Sequence, residues 1–189
     1  RLAPAQAGSS TLTVASAFSV LSRRTSAELE ALYASAKPFA LDSLQGDPSG
    51  RALAVPGFDK GVAAAFLRIF HANPYLPWEG KTFASQKGAT EGTGINRVLL
   101  VTRQARFPFR TYETSSVVDG KPCVAIDYDL PQNSAIARPT YDELRELEPG
   151  LYLGRGMRRR TGKSPKLLIW FALDARNPDP RVKWDGYAG

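Results

Sequence analysis

The chain has little of what most reaction chemistry leans on. Its 189 residues hold one cysteine, Cys123, and one histidine, His71. A single thiol excludes an intrachain disulfide. One histidine with one cysteine excludes zinc sites of the usual His/Cys sets, so no metal is expected. No cofactor is expected either; histidine-held haem is disfavoured on the same count. Any Ser-His-Asp or Cys-His arrangement would have to use His71. That residue ends an expected helix, where a positive side chain suits the macrodipole. Cys123 follows Pro122, with nothing adjacent to lower its pKa, so a buried thiol is expected there.

Long apolar runs are also missing. None approaches the roughly 20 residues that cross a bilayer, and the longest, residues 167–173, suits a buried strand. The scarcity of cysteine favours a reducing compartment, so the cytoplasm is the expected location. The stretch Ala3-Pro-Ala-Gln-Ala7 has the small-residue character of an export-signal end. An exported protein with its signal removed is therefore the alternative. Composition sets no oligomeric state.

What the chain does have is ordinary globular material. Hydrophobic residues make up 43% and charged residues 23%, and the length suits one domain with a real core. Twenty-five Lys and Arg against 18 Asp and Glu leave a formal charge of +7. That excess fits an anionic partner or simple solubility.

Residues 1–24 are small and polar at first and read as a flexible N-terminal arm. Thr25-Ser-Ala-Glu28 fits a capping box. Leu29, Leu32 and Tyr33 follow at helical spacing, and the helix stops before Pro38. A turn at residues 46–50 leads to a short strand at 51–55. Residues 59–71 read as a second helix, with Val62, Phe66, Ile69 and Phe70 on one side.

From Trp78 the pattern becomes β. Strands are expected at 80–85, 95–101, 106–115, 122–129, 151–157 and 166–173, broken by Gly, Pro and Asp-Gly turns. Residues 88–94 read as a glycine-rich loop. Tyr141-Asp-Glu-Leu-Arg-Glu-Leu147 reads as a short helix, placed like a lid over a barrel mouth. Residues 177–189 read as a C-terminal tail.

The fold class is thus α+β and mostly β. It is an antiparallel meander of about seven to eight strands closing into a barrel, because closure removes exposed edges. Residues 25–176 form the single barrel domain. A barrel of this size fills with side chains or holds one ligand.

Several residues stand out as chemistry. Asp127 and Asp129 lie two apart on one expected strand and share a face, with Tyr128 on the other. They read either as an acid/base pair with split pKa values or as ion-pair partners of Arg97 and Arg110. Arg110 follows Phe107-Pro-Phe109. It reads either as an anchor for a ligand carboxylate or phosphate or as a snorkelling edge residue. Arg97 has the same two readings.

Gly156-Met-Arg-Arg-Arg-Thr-Gly162-Lys163-Ser164 is not a phosphate-binding P-loop. Five residues separate its glycines where that motif has four, and a strand follows instead of a helix. Arg158, Arg159, Arg160, Lys163 and Lys166 form a basic hairpin tip, which reads first as a solvated turn and otherwise as a contact for an anionic surface or nucleic acid. No aromatic platform accompanies it, so nucleic acid is disfavoured.

The entry Pro77-Trp-Glu-Gly-Lys-Thr-Phe83, with the meander that follows, resembles the entry of lipocalins and related calycin barrels. The segments WxGKxF, GxNRV, IDYDLP, DELRExEPGLYLG and LWFALD also resemble an uncharacterised bacterial family. Here they fall at residues 78–83, 94–98, 126–131, 142–154 and 169–174, about half the chain. The resemblance implies a calycin-like barrel that binds a small hydrophobic or amphipathic molecule. It implies no catalytic residue.

Three functions are therefore carried forward. The first is binding of such a molecule in the barrel, lined by Trp78, Phe107, Phe109, Tyr128, Tyr152 and Trp170, with Arg97, Arg110 and Asp127 at a polar end. The second is a metal-independent cyclase, isomerase or hydratase with Asp127 or Asp129 as acid/base and Arg110 or Tyr128 as stabiliser. The third is a basic surface-binding module at the hairpin tip.

Overall fold

The structure, a computed structural model, describes residues 14–56, 78–99 and 103–178. Strands β1 (Pro48–Ala54), β2 (Trp78–Ser85), β3 (Glu91–Leu99), β4 (Arg103–Ser115), β5 (Pro122–Asp127), β6 (Thr140–Glu148), β7 (Leu151–Arg160) and β8 (Lys163–Pro178) form one antiparallel sheet. Each pairs with the next in sequence, and β8 returns to β1, so the sheet closes into an eight-stranded barrel. Two helices, α1 (Val14–Leu21) and α2 (Ser26–Ser35), and a 3-10 turn at Leu41–Ser43 precede it. Among the described residues no helix is long and apolar enough to cross a membrane.

Strand alternation sorts the core into layers. Val124, Ile126 and Tyr128 share an interior cluster with Phe83, Phe109, Leu144, Tyr152, Phe171 and Leu173. The opposite face of β7 and β8 carries Leu151, Leu153, Trp170 and Ala172, covered by Ala17, Phe18 and Leu21 of α1 and Leu29 and Tyr33 of α2. Helix α2 begins with the expected capping box: Glu28 N donates to Thr25 Oγ1 at 3.3 Å and Thr25 N donates to Glu28 Oε2 at 2.8 Å. Leu41 and Leu44 join the interior cluster from the 3-10 segment. They close the end of the barrel where β1 starts and β2 finishes. Glu113 fixes that plug by accepting from Leu41 N at 2.9 Å.

Large rings fit inside because glycines lie beneath them. Gly94 pairs with Phe109 and Gly154 with Phe171. A Cβ on Gly94 would sit 2.2 Å from the Phe109 ring, and one on Gly154 would sit 2.3 Å from Phe171. Trp78 covers Gly50 in the same way, 2.6 Å from where a Cβ would stand. Interior width is thus spent on aromatic rings lying over bare backbone.

Four expectations change. Residues 140–148 form β6, not a lid helix. Helical propensity is overridden because both faces of this strand find partners. Leu144 enters the interior, Glu143 bonds Arg155, and Arg145 bonds Asp119. Residues 14–21, expected within a loose arm, are helical because Ala17, Phe18 and Leu21 bury against the barrel. β1 starts at Pro48, inside the expected turn, and β3 starts at Glu91, inside the expected loop. The helix at 59–71, with His71, and the tail beyond residue 178 lie outside the described residues.

The glycine–ring contacts yield a direct test. Gly154→Ala forces a methyl into the Phe171 ring. It should lower unfolding free energy by about 1–3 kcal/mol through overpacking, read as a lower urea midpoint. An unchanged midpoint would show that the ring has room to move.

Candidate functional site

The end of the barrel opposite the plug holds a lysine. Lys81 is 2% exposed. Its strand has a register shift between Trp78 and Gly80, where Gly80 takes φ +131. Trp78 and Lys81 are three residues apart and would face opposite sides of a regular strand. The irregularity brings both against the interior cluster.

Four rings surround the ammonium. Lys81 Nζ lies 5.6 Å from the Trp78 ring centre, 5.3 Å from Phe109, 5.1 Å from Tyr128 and 5.2 Å from Phe171. Three of these are the rings that lie on glycines. A cation within about 6 Å of an aromatic centroid is attracted by roughly 0.5–2 kcal/mol per ring.

The hydrogen bonds close on themselves. Lys81 Nζ donates to Asn96 Oδ1 at 2.9 Å and to Tyr128 Oη, and it pairs with Asp142 Oδ2 at 3.2 Å. Tyr128 Oη donates to Asp142 Oδ2 at 3.1 Å. Asn96 Oδ1 also accepts from Trp78 Nε1 at 2.9 Å. Asn96 Nδ2 donates to Tyr128 Oη and to the Phe107 carbonyl, both at 3.1 Å. Every donor of Lys81 and every polar position of Asn96 is used.

Burial dominates the electrostatics here. It pushes the Lys81 ammonium below the usual lysine range, against the opposing pull of Asp142. It pushes Asp142 up, with Lys81 and Tyr128 holding it down. The Tyr128 hydroxyl is raised well above the ordinary phenol range by the same burial. Desolvating each ion costs several kcal/mol. The pair, the hydrogen bonds and the rings together offset that cost.

The cluster reaches the surface through Phe107. A register shift between Ile95 and Asn96 leaves Phe107 as the extra residue of a bulge. Its φ is +55, and it is the non-glycine residue held in the left-handed region among those described. Such a conformation costs about 1–3 kcal/mol and persists where surroundings enforce it. Asn96 enforces it from inside by holding the carbonyl, while the ring is 46% exposed. Beside the ring opens a groove of about 630 Å³, walled by Val98, Ala105, Phe107 and Pro108 and edged by Arg106, Gln132 and Ser134. Buried Asn133 forms its floor, donating to the carbonyls of Pro108 at 2.7 Å and Tyr128 at 2.8 Å.

The residues singled out from sequence separate into three groups. Trp78, Phe109, Tyr128 and Tyr152 meet inside the barrel. Phe107 borders the groove. Arg97, Arg110, Asp127, Asp129 and Trp170 lie elsewhere. Trp170 faces the helices, donating to Ser26 Oγ at 2.9 Å. Arg97 pairs with Asp47 at 3.3 Å and donates to the Pro48 carbonyl at 2.8 Å, so it is not a partner of Asp127. Arg110 does meet Asp127, at 3.3 Å, and Arg159 reaches the same carboxylate at 2.8 Å.

Asp129 lies beyond the end of β5, so alternation no longer ties it to Asp127; it is exposed and pairs with Arg138 at 2.7 Å. Burial pushes Asp127 up, but Arg159, the Asp129 amide and Arg110 bring it below the usual carboxylate range. Cys123 is buried, and that burial pushes its thiol up to about 12.

Lys81, Asn96 and Asp142 were not singled out from the sequence. One signal was present: each shares a strand phase with an interior residue, Phe83, Gly94 and Leu144 respectively.

No family model matches the chain, and no curated protein matches it. A solved structure described as "Crystal structure of protein from Thermomonospora curvata" is similar in fold, with a TM-score of 0.52 at 18% identity. The likeness covers 80% of this chain and 87% of that one. At that identity it supports the barrel architecture alone.

The buried pair predicts non-additive energetics. Lys81→Met or Asp142→Leu alone strands the other charge and should cost about 3–5 kcal/mol. The double variant should lose less than the sum by at least about 1 kcal/mol. Additive losses in chemical denaturation would show that the two groups do not interact.

Proposed function

We propose that this protein binds a small amphipathic molecule at the Lys81 end of its barrel, along the groove beside Phe107. The observation that carries the reading is the Phe107 bulge. A strained backbone holds an aromatic ring out in water, and a buried polar cluster holds that backbone in place. Strain of this kind is concentrated at ligand sites. The groove offers an apolar wall and a polar edge. An apolar body would lie on Phe107, Pro108 and Val98, and a polar head would meet Arg106, Gln132 or Ser134. The calycin-like reading of the barrel points the same way.

The proposed site differs from the interior pocket expected from sequence. Packed rings occupy that interior: Phe83 and Phe109 lie 5.4 Å apart, Phe109 and Tyr128 5.6 Å, and Trp78 and Phe171 5.7 Å. Catalysis by Asp127 and Asp129 has less support. Arginines occupy both carboxylates, and those beside Asp127 hold it below the usual carboxylate range, the wrong direction for an acid catalyst near neutrality.

Thermal unfolding with a panel of fatty acids, retinoids and polyketide-like compounds tests the reading. A true ligand at a hundredfold excess over Kd adds about 2.7 kcal/mol and raises Tm by several degrees. Phe107→Ala should weaken that ligand about tenfold or more, because it removes the wall of the groove. A panel that leaves Tm unmoved, or a ligand indifferent to Phe107→Ala, would refute it.

A further inference from the structure

We infer that the rim made by the β7–β8 hairpin tip and the loop after β5 docks on an anionic lipid surface. Ile136, on that loop, is 79% exposed, the most exposed of the large apolar side chains described. It lies beside the basic hairpin. Arg158 Nη1 donates to the Ile136 carbonyl at 3.2 Å, which ties the loop to the hairpin. Arg158 pairs with Lys166 across the two strands, and Arg160 pairs with Lys163 at the tip.

All four of these cations are exposed. No ion pair with an acid is found for any of them among the described residues. Nearby arginines behave differently: Arg138 is taken by Asp129, and Arg159 and Arg110 by Asp127. The rim therefore keeps an uncompensated positive charge around a bare aliphatic side chain.

That combination selects the partner. Solvent-exposed cations alone would suit any polyanion. An isoleucine held out among them gains nothing from a phosphodiester backbone, which is recognised by cations with stacking rings. An anionic bilayer offers both complements: negative headgroups for the cations and an acyl boundary for the isoleucine. The net charge of +7 adds long-range attraction of the same sign. This inference does not rest on the groove's holding a ligand, since Ile136 and the hairpin cations do not line the groove.

Vesicle co-sedimentation of the full chain tests it. One set of vesicles is phosphatidylcholine; the other replaces about a third of it with phosphatidylglycerol. The protein should sediment with the anionic vesicles and at least about tenfold more weakly with the neutral ones. Ile136→Ser should weaken anionic-vesicle binding several-fold. The double variant Arg160→Glu with Lys163→Glu should abolish it. Both variants change exposed side chains, and an unchanged circular dichroism spectrum and Tm would show the fold intact.

Three results would overturn the inference. One is no binding to anionic vesicles at low salt. Another is binding indifferent to Ile136→Ser, which would reduce the rim to charge alone. The third is retention on a DNA oligonucleotide at near-physiological salt that exceeds retention on the vesicles.

Discussion

The ion pair between Lys81 and Asp142, inside an otherwise apolar barrel, constrains much of the rest. It lies at 3.2 Å with both side chains almost fully buried. A bare pair in that position would be costly, and well-packed hydrophobic residues would often do better. The surroundings answer that cost in detail. Asn96 and Tyr128 saturate the donors and acceptors, and four rings face the ammonium. Three of those rings have room there because Gly50, Gly94 and Gly154 lie beneath Trp78, Phe109 and Phe171. Backbone choices on three strands thus trace back to one charge.

The same cluster links the interior to the surface. Asn96 uses one amide hydrogen on Tyr128 and the other on the Phe107 carbonyl. The inside of the barrel thereby sets the geometry of an exposed bulge. The other end is closed by the 3-10 plug, fixed by Glu113. The barrel is therefore asymmetric. One end is sealed by leucines, and the other carries the bulge, the groove and the basic hairpin tip.

Much of the architecture was legible in the sequence. Asp-Gly and Gly turns between apolar runs marked the meander, and Thr25 with Glu28 marked the start of α2. Residues 140–148 were misleading because helix formers at helical spacing there answer to partners far away in sequence, Lys81, Asp119 and Arg155. The candidate site was less legible, for a definite reason. Reading which face a side chain takes depends on unbroken alternation. Lys81 and Asn96 kept the phase of Phe83 and Gly94, but the bulge at Trp78–Gly80 put Trp78 out of step with Lys81, and Arg97 turns to Asp47, a partner that strand spacing does not indicate. The end of β5 at Asp127 separated Asp129 from it in the same way. Tyr128 was read correctly as turning away from Asp127, but its partners lie on three other strands.

Lys81 is a buried cation held by Asp142. Nitrogen-15 NMR of lysine-labelled protein measures this directly, through the pH at which the Lys81 amine loses its proton. Burial lowers that pH below the ordinary lysine range, and Asp142 acts against the fall. Lys81 should therefore titrate below the surface lysines, with slowly exchanging ammonium protons. In Asp142→Asn it should titrate lower still. A Lys81 signal that titrates with the surface lysines, or that Asp142→Asn leaves unmoved, would contradict the account.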